Sequence, residues 1–397
     1  MFQRAHPFIF ALWLAFPGRG TAMNVETNFP GASIAIVGLD AEQQVLTFTP
    51  APHQNKGWNC WWSFRLTGVN TNLPISLTVL STSAFGRPTR AMFSHDGVHW
   101  QHTEPGRRIG SSQLYRHLSA GDTIHFAWGP PFQLRHADEL VADVLRRDPA
   151  ARSFQLCRTR EEHPVPALRW EPPRRDGVKR RGIWIEARQH AWESGSSWVC
   201  RGLLEWLTSA DPAAKRLKQD TRIVVVPIMD VDNVERGAGG KDQIPHDHNR
   251  DWSDRPVWPA VAAAQQQILA LDRDGEFDLF LDLHNPSPGD QTPFFFGPPE
   301  THLPDARKAN QQRFHEAALK ELGAEALGLS SRIRISGPGY HPLWRQISKN
   351  WVAEHTAPHV VALTLETSWN TPNSTPDGYL AYGRALGRTI AAYLLEQ

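Results

Sequence analysis

Apolar and polar positions alternate with one period in the first third of the chain and another in the rest. From residue 24 to about 130, short runs rich in β-branched and aromatic residues recur at Ser33–Val37, Val45–Phe48, Trp61–Leu66, Ile75–Leu80 and Thr123–Ala127. Turn-forming residues separate them, as in Gly68-Val-Asn-Thr-Asn72 and Ser94-His-Asp-Gly-Val98. Runs of this length and spacing predict a small all-β sandwich. This part carries no set of His, Asp and Glu with metal-ligand spacing, so it is expected to be structural or to form a cleft wall.

The pattern changes after Gly129-Pro-Pro-Phe132. Residues 135–147 have helical periodicity, and a polar, charge-rich connection is expected from Arg158 to Arg181. Beyond it, near-continuous apolar runs at Gly182–Ala187, Arg222–Ile228, Phe277–Leu283 and Val360–Leu365 predict strands buried on both faces. Amphipathic stretches between and after them predict helices at Ser197–Thr208, Trp258–Leu271, Pro304–Leu322 and Asp377–Leu394. The expectation is an α/β domain with a mixed, mostly parallel sheet covered by helices on both faces. The boundaries read as 23–150 for the β-sandwich and 151–397 for the α/β domain, where sites form beyond the carboxyl ends of the strands.

Composition adds exclusions. A net charge of +1 over 397 residues gives no bulk attraction to nucleic acid or an anionic membrane surface. Sixteen Trp suit both cores and binding clefts. Cys60, Cys157 and Cys200 are odd in number and far apart, which predicts free thiols in a reducing, cytoplasmic compartment. Residues 1–22 allow two readings. The apolar run Pro7–Phe16 followed by Pro17-Gly-Arg-Gly-Thr-Ala22 has the form of a signal peptide, which would make the protein periplasmic or secreted. Alternatively, translation starts at Met23 and these residues are an upstream extension. The run is too short to span a bilayer.

The chemistry gathers where apolar runs end. His190-Ala-Trp-Glu193 follows the run ending at Ala187 and precedes a helical stretch. A His and a Glu three apart at such a corner can place an imidazole nitrogen and a carboxylate on one ion, two of the three protein ligands of a zinc hydrolase. His284, closing the next strand but one, is the third candidate, with Asp282 on the same strand face as an acceptor behind it. Asn249-Arg250 follows the Gly-rich Gly237-Ala-Gly-Gly-Lys241; a guanidinium fork there can bind a carboxylate. His246 and His248 fit no ligand spacing and read as loop residues. Glu366 closes the last apolar run, where a carboxylate needs a partner such as an activated water. Singly, each also fits a cap, a solvated loop or a packing role; what points to one site is their order along successive strand ends.

Together these residues resemble the zinc carboxypeptidases of the M14 family, nearest its cytosolic carboxypeptidase branch. His190-x-x-Glu193, Asn249-Arg250, His284 and Thr364-Leu-Glu366-Thr-Ser368 occur in family order. Phe29-Pro-Gly31, Trp61-Trp-Ser-Phe-Arg65 and Phe126-Ala-Trp-Gly-Pro-Pro-Phe132 are similar to that branch's preceding β-sandwich. The resemblance implies one zinc ion per chain, bound by His190, Glu193 and His284, with Glu366 as general base and later proton donor. It implies that Asn249 and Arg250 hold the α-carboxylate of a peptide or protein tail. A basic residue would stabilise the oxyanion: Lys241, favoured by its Gly-Gly-Lys setting, or Arg236. Tyr340 is the nearest match to a tyrosine that closes over substrate.

Two departures stand out. The family's His-Pro-Gly-Glu corner is His-Ala-Trp-Glu here. In deglutamylating members an Arg about fifteen residues before the base favours an acidic C-terminal side chain; here that position falls on Trp351, with Lys349 two residues away. The implied function is a zinc metallocarboxypeptidase. The competing readings are a zinc amidase on the same fold, acting on an acylated amino acid or a cell-wall peptide, and a non-enzymatic peptide binder with an inert metal site.

Overall fold

The computed structural model describes residues 22–53, 56–174, 180–324 and 327–395, so the leader or extension reading lies, but for Ala22, outside the described residues. The N-terminal part is two five-stranded sheets. Asn24–Glu26, Ser63–Thr67, Ile124–Ala127, Met92–Ser94 and Gln101–His102 form one; Ala35–Asp40, Val45–Thr49, Ile75–Leu80, Ser112–His117 and Arg107–Ile109 form the other. Period-two alternation builds the core between them, burying Leu46 and Phe48 on one strand and Ile75, Leu77 and Val79 on another.

Two expectations shift. Trp61 and Trp62 precede their strand and are buried, their indole N–H groups donating to the carbonyls of Gly31 and Gly86. The run expected at Ser33–Val37 forms the edge strand Ala35–Asp40, which pairs only with Val45–Thr49 across a bulge and leaves Ile36, Val37 and Leu39 exposed. With no second neighbour to bury it, that strand's position is not set by its apolar residues.

The helix Leu134–Arg147 leads into an eight-stranded mixed sheet. Its centre is parallel: Arg181–Ala187 pairs with Thr221–Val226 on one side and Leu279–His284 on the other, which in turn pairs with Val361–Glu366. The expected polar connection is corrected here. Arg152–Arg158 and Pro164–Trp170 form an antiparallel hairpin at the sheet edge. Of the stretch expected as a linker, Pro164–Trp170 is a strand whose apolar run Pro164 and Pro166 break, and the charges Arg160, Glu161 and Glu162 lie in the turn that joins it to Arg152–Arg158. Phe294–Gly297 and Arg334–Ile335 complete the other edge.

Helices Ser194–Leu207, Pro259–Arg273, Asp305–Ala324 and Pro376–Leu395 lie close to their expected places. The first and last pack tightly because glycines face each other. A Cβ on Gly202 would sit 2.2 Å from the carbonyl oxygen of Leu380, and one on Gly383 2.0 Å from that of Val199. The two parts of the chain also share apolar contacts: Trp192 and Trp369, from the α/β part, belong to the N-terminal core. Among the described residues no helix is long and apolar enough to cross a membrane. The three cysteines are free, with Cys60 and Cys200 buried and Cys157 half-buried.

Candidate active site

The chain leaves Ala187 through a sharp turn in which Arg188 takes a left-handed backbone (φ 67°). Its buried guanidinium holds the turn, donating to the carbonyls of Ala191 (2.7 Å) and Phe132 (2.9 Å). The Trp192 N–H donates to the Gly239 carbonyl at 3.0 Å. Gly240 (φ 80°) approaches so closely that a Cβ there would lie 2.4 Å from the Ala191 nitrogen. The corner and the Gly-rich loop are therefore pressed together, and Glu193 stands just before the first residue of the helix that follows, its carboxylate turned away from the helix N–H groups. The Ala-Trp between His190 and Glu193 has a packing reason: Trp192 meets Phe85, Trp128 and Trp369 edge-on at ring separations of 5.6, 5.2 and 5.9 Å.

His190, Glu193 and His284 offer ligand atoms that all lie within 4.8 Å of one another, and all three residues are buried. Nδ1 of His190 is 2.8 Å from Oε1 of Glu193, and Nδ1 of His284 is 2.6 Å from its Oε2. Both rings turn the opposite nitrogen to a second carboxylate: Nε2 of His190 lies 3.1 Å from Asp247 Oδ1, and Nε2 of His284 lies 2.9 Å from Asp282 Oδ2. Carboxylates behind the imidazoles fix ring orientation and tautomer, as around metal-bound histidines. Asp282 is itself held by Gln189 and Ser348, each donating at 2.6 Å. Asn285 ties the segments together, donating its N–H to Glu193 and its amide to the Thr367 carbonyl while accepting from the Ser196 N–H.

The charges agree with a cation site. Burial pushes the Glu193 carboxyl up, but His284 and His190 outweigh it and hold it well below the usual range. Asp247 is likewise held low against its burial, by His190 and Lys241. Two imidazoles and one carboxylate converging with oriented rings make a donor set that fits zinc.

Glu366 stands opposite His284 in the parallel register. Burial, opposed by His284 and reinforced by Glu193, pushes its carboxyl up to about 7, and its Oε2 is buried with no hydrogen-bond partner. These groups line one cavity of about 320 Å³ together with Lys241, Arg250, Tyr340 and Lys349. Arg250 is 5% exposed, lies 6.0 Å over the Tyr340 ring and has a buried Nε without a partner. Asn249 also lines the cavity, but its amide is engaged within the protein: Oδ1 accepts from the Ser348 N–H, and Nδ2 approaches Asp282 and His284.

The paired candidates fall in different places. Lys241 reaches the cavity and lies 4.0 Å from Asp247; Arg236 instead pairs with Glu161. Lys349 lines the cavity, whereas Trp351 is buried against Trp252 and His355. His246 and His248 stay outside the cluster: His246 accepts from the Asp247 N–H, and His248 stacks on Trp258. The sequence reading missed Asp247, Asn285 and Arg334. Asp247 sits between two histidines set aside for want of a ligand pattern, and Asn285 directly follows His284. Arg334, lying over the Phe294 ring and paired with Asp290 at 2.8 Å, gave no signal.

The family model for zinc carboxypeptidase matches residues 139–368. An uncharacterised protein of Zymomonas mobilis is 26% identical over 302 residues, 74% of each chain. Cytosolic carboxypeptidase 3 of Bos taurus is 24% identical over 294 residues, which are 66% of this chain and 29% of that one. Among solved structures, a metallo-carboxypeptidase from Burkholderia cenocepacia shares the fold, with a TM-score of 0.82 and 22% identity over 94% of this chain and 99% of that one.

Proposed function

This chain belongs to the zinc carboxypeptidase family and is a metallocarboxypeptidase, and from that premise we propose that it hydrolyses the last peptide bond of peptides or protein tails, preferring an acidic final residue. One observation carries the reading. A cluster of two imidazoles and a carboxylate within 4.8 Å shares its cavity with a buried guanidinium whose Nε has no partner.

His190, Glu193 and His284 would hold one zinc ion, three protein ligands leaving a position open. When bound, zinc supplies a Lewis acid that polarises the scissile carbonyl and acidifies a water. Glu366 takes the proton of the attacking water and delivers it to the leaving amine; a carboxyl raised to about 7 can do both near neutral pH. Arg250 binds the terminal α-carboxylate through its fork, and Asn249 fixes the turn that presents it. Lys241 neutralises charge developing on the carbonyl oxygen. Tyr340, 48% exposed at the mouth with its ring beside Arg250, closes over the bound residue. Lys349 and Arg334 receive a side-chain carboxylate.

The test is a mass-spectrometric assay of peptides ending in Glu, Gln or Leu, each with a free or an amidated C-terminus, using zinc-loaded and chelated protein. Release of the last residue should need zinc and a free carboxylate. Arg250→Ala should lower kcat/KM on free-carboxylate peptides roughly 10- to 100-fold, the worth of a hydrogen bond to a charged group. Equal cleavage of amidated peptides would sink the exopeptidase reading and favour an amidase.

A further inference from the structure

The cavity has two unlike ends. At one, Arg250, Lys349 and Arg334 lie among Phe294, Phe296 and Tyr340, whose rings follow one another at 5.1 and 5.2 Å. Phe294 is also the strand partner of Glu366. At the other end stand Trp58 and Phe85 of the N-terminal domain and Trp192 of the corner, ring to ring at 4.6 and 5.6 Å. Trp192 lies between His190 and Glu193 in sequence and lines the same cavity, so this aromatic wall adjoins the candidate metal cluster.

The wall is held in place. The Trp58 N–H donates to the Lys241 carbonyl at 3.1 Å, and its indole N–H donates to Asp242 at 3.0 Å. The Phe85 carbonyl accepts from the Trp128 indole at 2.6 Å. Lys241 is the cation at this end; its Nζ lies 5.3 Å over the Trp58 ring and 4.0 Å from Asp247. Past Trp58 and Phe85 a second concavity continues over the N-terminal domain. It is lined by residues such as Pro50, Ser81, Ser83 and Ser111, and none of its described lining residues is charged.

For a peptide whose terminal carboxylate is at Arg250 and whose last bond lies over the cluster, the wall of Trp58 and Phe85, which lines both this cavity and the next concavity, is the surface available to the preceding residue. We infer that these two residues of the N-terminal domain, with Trp192, form the subsite for the penultimate residue, and that it selects a bulky apolar side chain. The inference rests on the exopeptidase reading and adds what precedes the cleaved residue. It separates an apolar–acidic ending from a run of glutamates, which would set a second carboxylate against an aromatic wall where Lys241 already faces Asp247, with an uncharged concavity beyond.

The test uses the full-length, zinc-loaded protein and peptides of equal length ending in Glu, with Phe, Leu, Ala or Glu as the penultimate residue. Phe and Leu should be turned over with kcat/KM about 10-fold or more above Ala, within the range a few methylenes give in an apolar pocket, and Glu should fall below Ala. Trp58→Ala and Phe85→Ala should shrink the Phe-to-Ala ratio to about 3-fold or less. If either variant does not fold, the wild-type series and Phe85→Leu still decide. A flat or Glu-favouring wild-type series overturns the subsite while leaving the exopeptidase reading intact. No release from any free-carboxylate peptide overturns both.

Discussion

The Lys349 ammonium is buried, donates to Ser336 Oγ and lies 5.7 Å over the Phe296 ring. Burial disfavours its charge and the nearby Arg250 adds to that, so despite Asp282 and Glu366 its pKa falls to about 7. A lowered pKa means the charged form prevails below about 7 and the neutral form above. If Lys349 selects an acidic final residue, the kcat/KM ratio of Glu-ending to Leu-ending peptides should be largest near pH 6. It should decline as pH rises through 7, and Lys349→Met should flatten the profile. A ratio independent of pH, or one that survives the substitution, moves the selection to Arg334. The sequence could not choose between Lys349 and Trp351, because two steps along the helix Ser348–His355 turn a side chain roughly 200°. Only the fold shows which side faces the cavity. His190, Glu193, His284 and Glu366 were easier to find, since each lies where an apolar run ends and a loop begins. Asp247 was not, because its carboxylate comes to His190 across 57 positions of chain.

At the scale of elements, the corner between Arg181–Ala187 and Ser194–Leu207 joins the candidate metal cluster to the N-terminal core through one indole. Trp192→Ala should cost roughly 3–5 kcal/mol in unfolding free energy, as expected for removing a buried aromatic. It should also weaken zinc binding, because the removed ring supports the turn carrying both His190 and Glu193. Trp192→Phe should recover most of each. Denaturant midpoints combined with zinc competition would check this; lowered stability with wild-type zinc affinity would show that the ring supports the fold alone. The same scale shows why some elements were legible. Thr221–Val226 and Leu279–His284 are buried along almost their whole length and read as near-continuous apolar runs, interrupted at Arg222 and Asp282. Arg152–Arg158 has one buried position in seven, so its pattern is that of the solvent it faces.

At the scale of the whole molecule, two parts distinguishable by period turn out to share a core and a cavity. The change in period was plain in the sequence, but the sharing was not, because Trp192 meets Phe85 and Trp128 only after the chain folds back. The hydrogen bonds from Trp58 to the loop at Lys241 and Asp242 and from Gln243 back to the His53 carbonyl extend the same joint. Such a joint predicts one cooperative unfolding transition. Zinc that binds only the folded chain stabilises it by about 2.7 kcal/mol at a hundredfold excess over its Kd. If the parts unfold together, chelation should lower the midpoint reported by every probe by the same amount, including the fluorescence of tryptophans such as Trp62 that belong to the N-terminal core alone. If the N-terminal part were an independent unit, calorimetry would resolve two transitions and chelation would move only one. The second outcome would also undercut the aromatic subsite, since Trp58 would then hold no fixed position relative to His190.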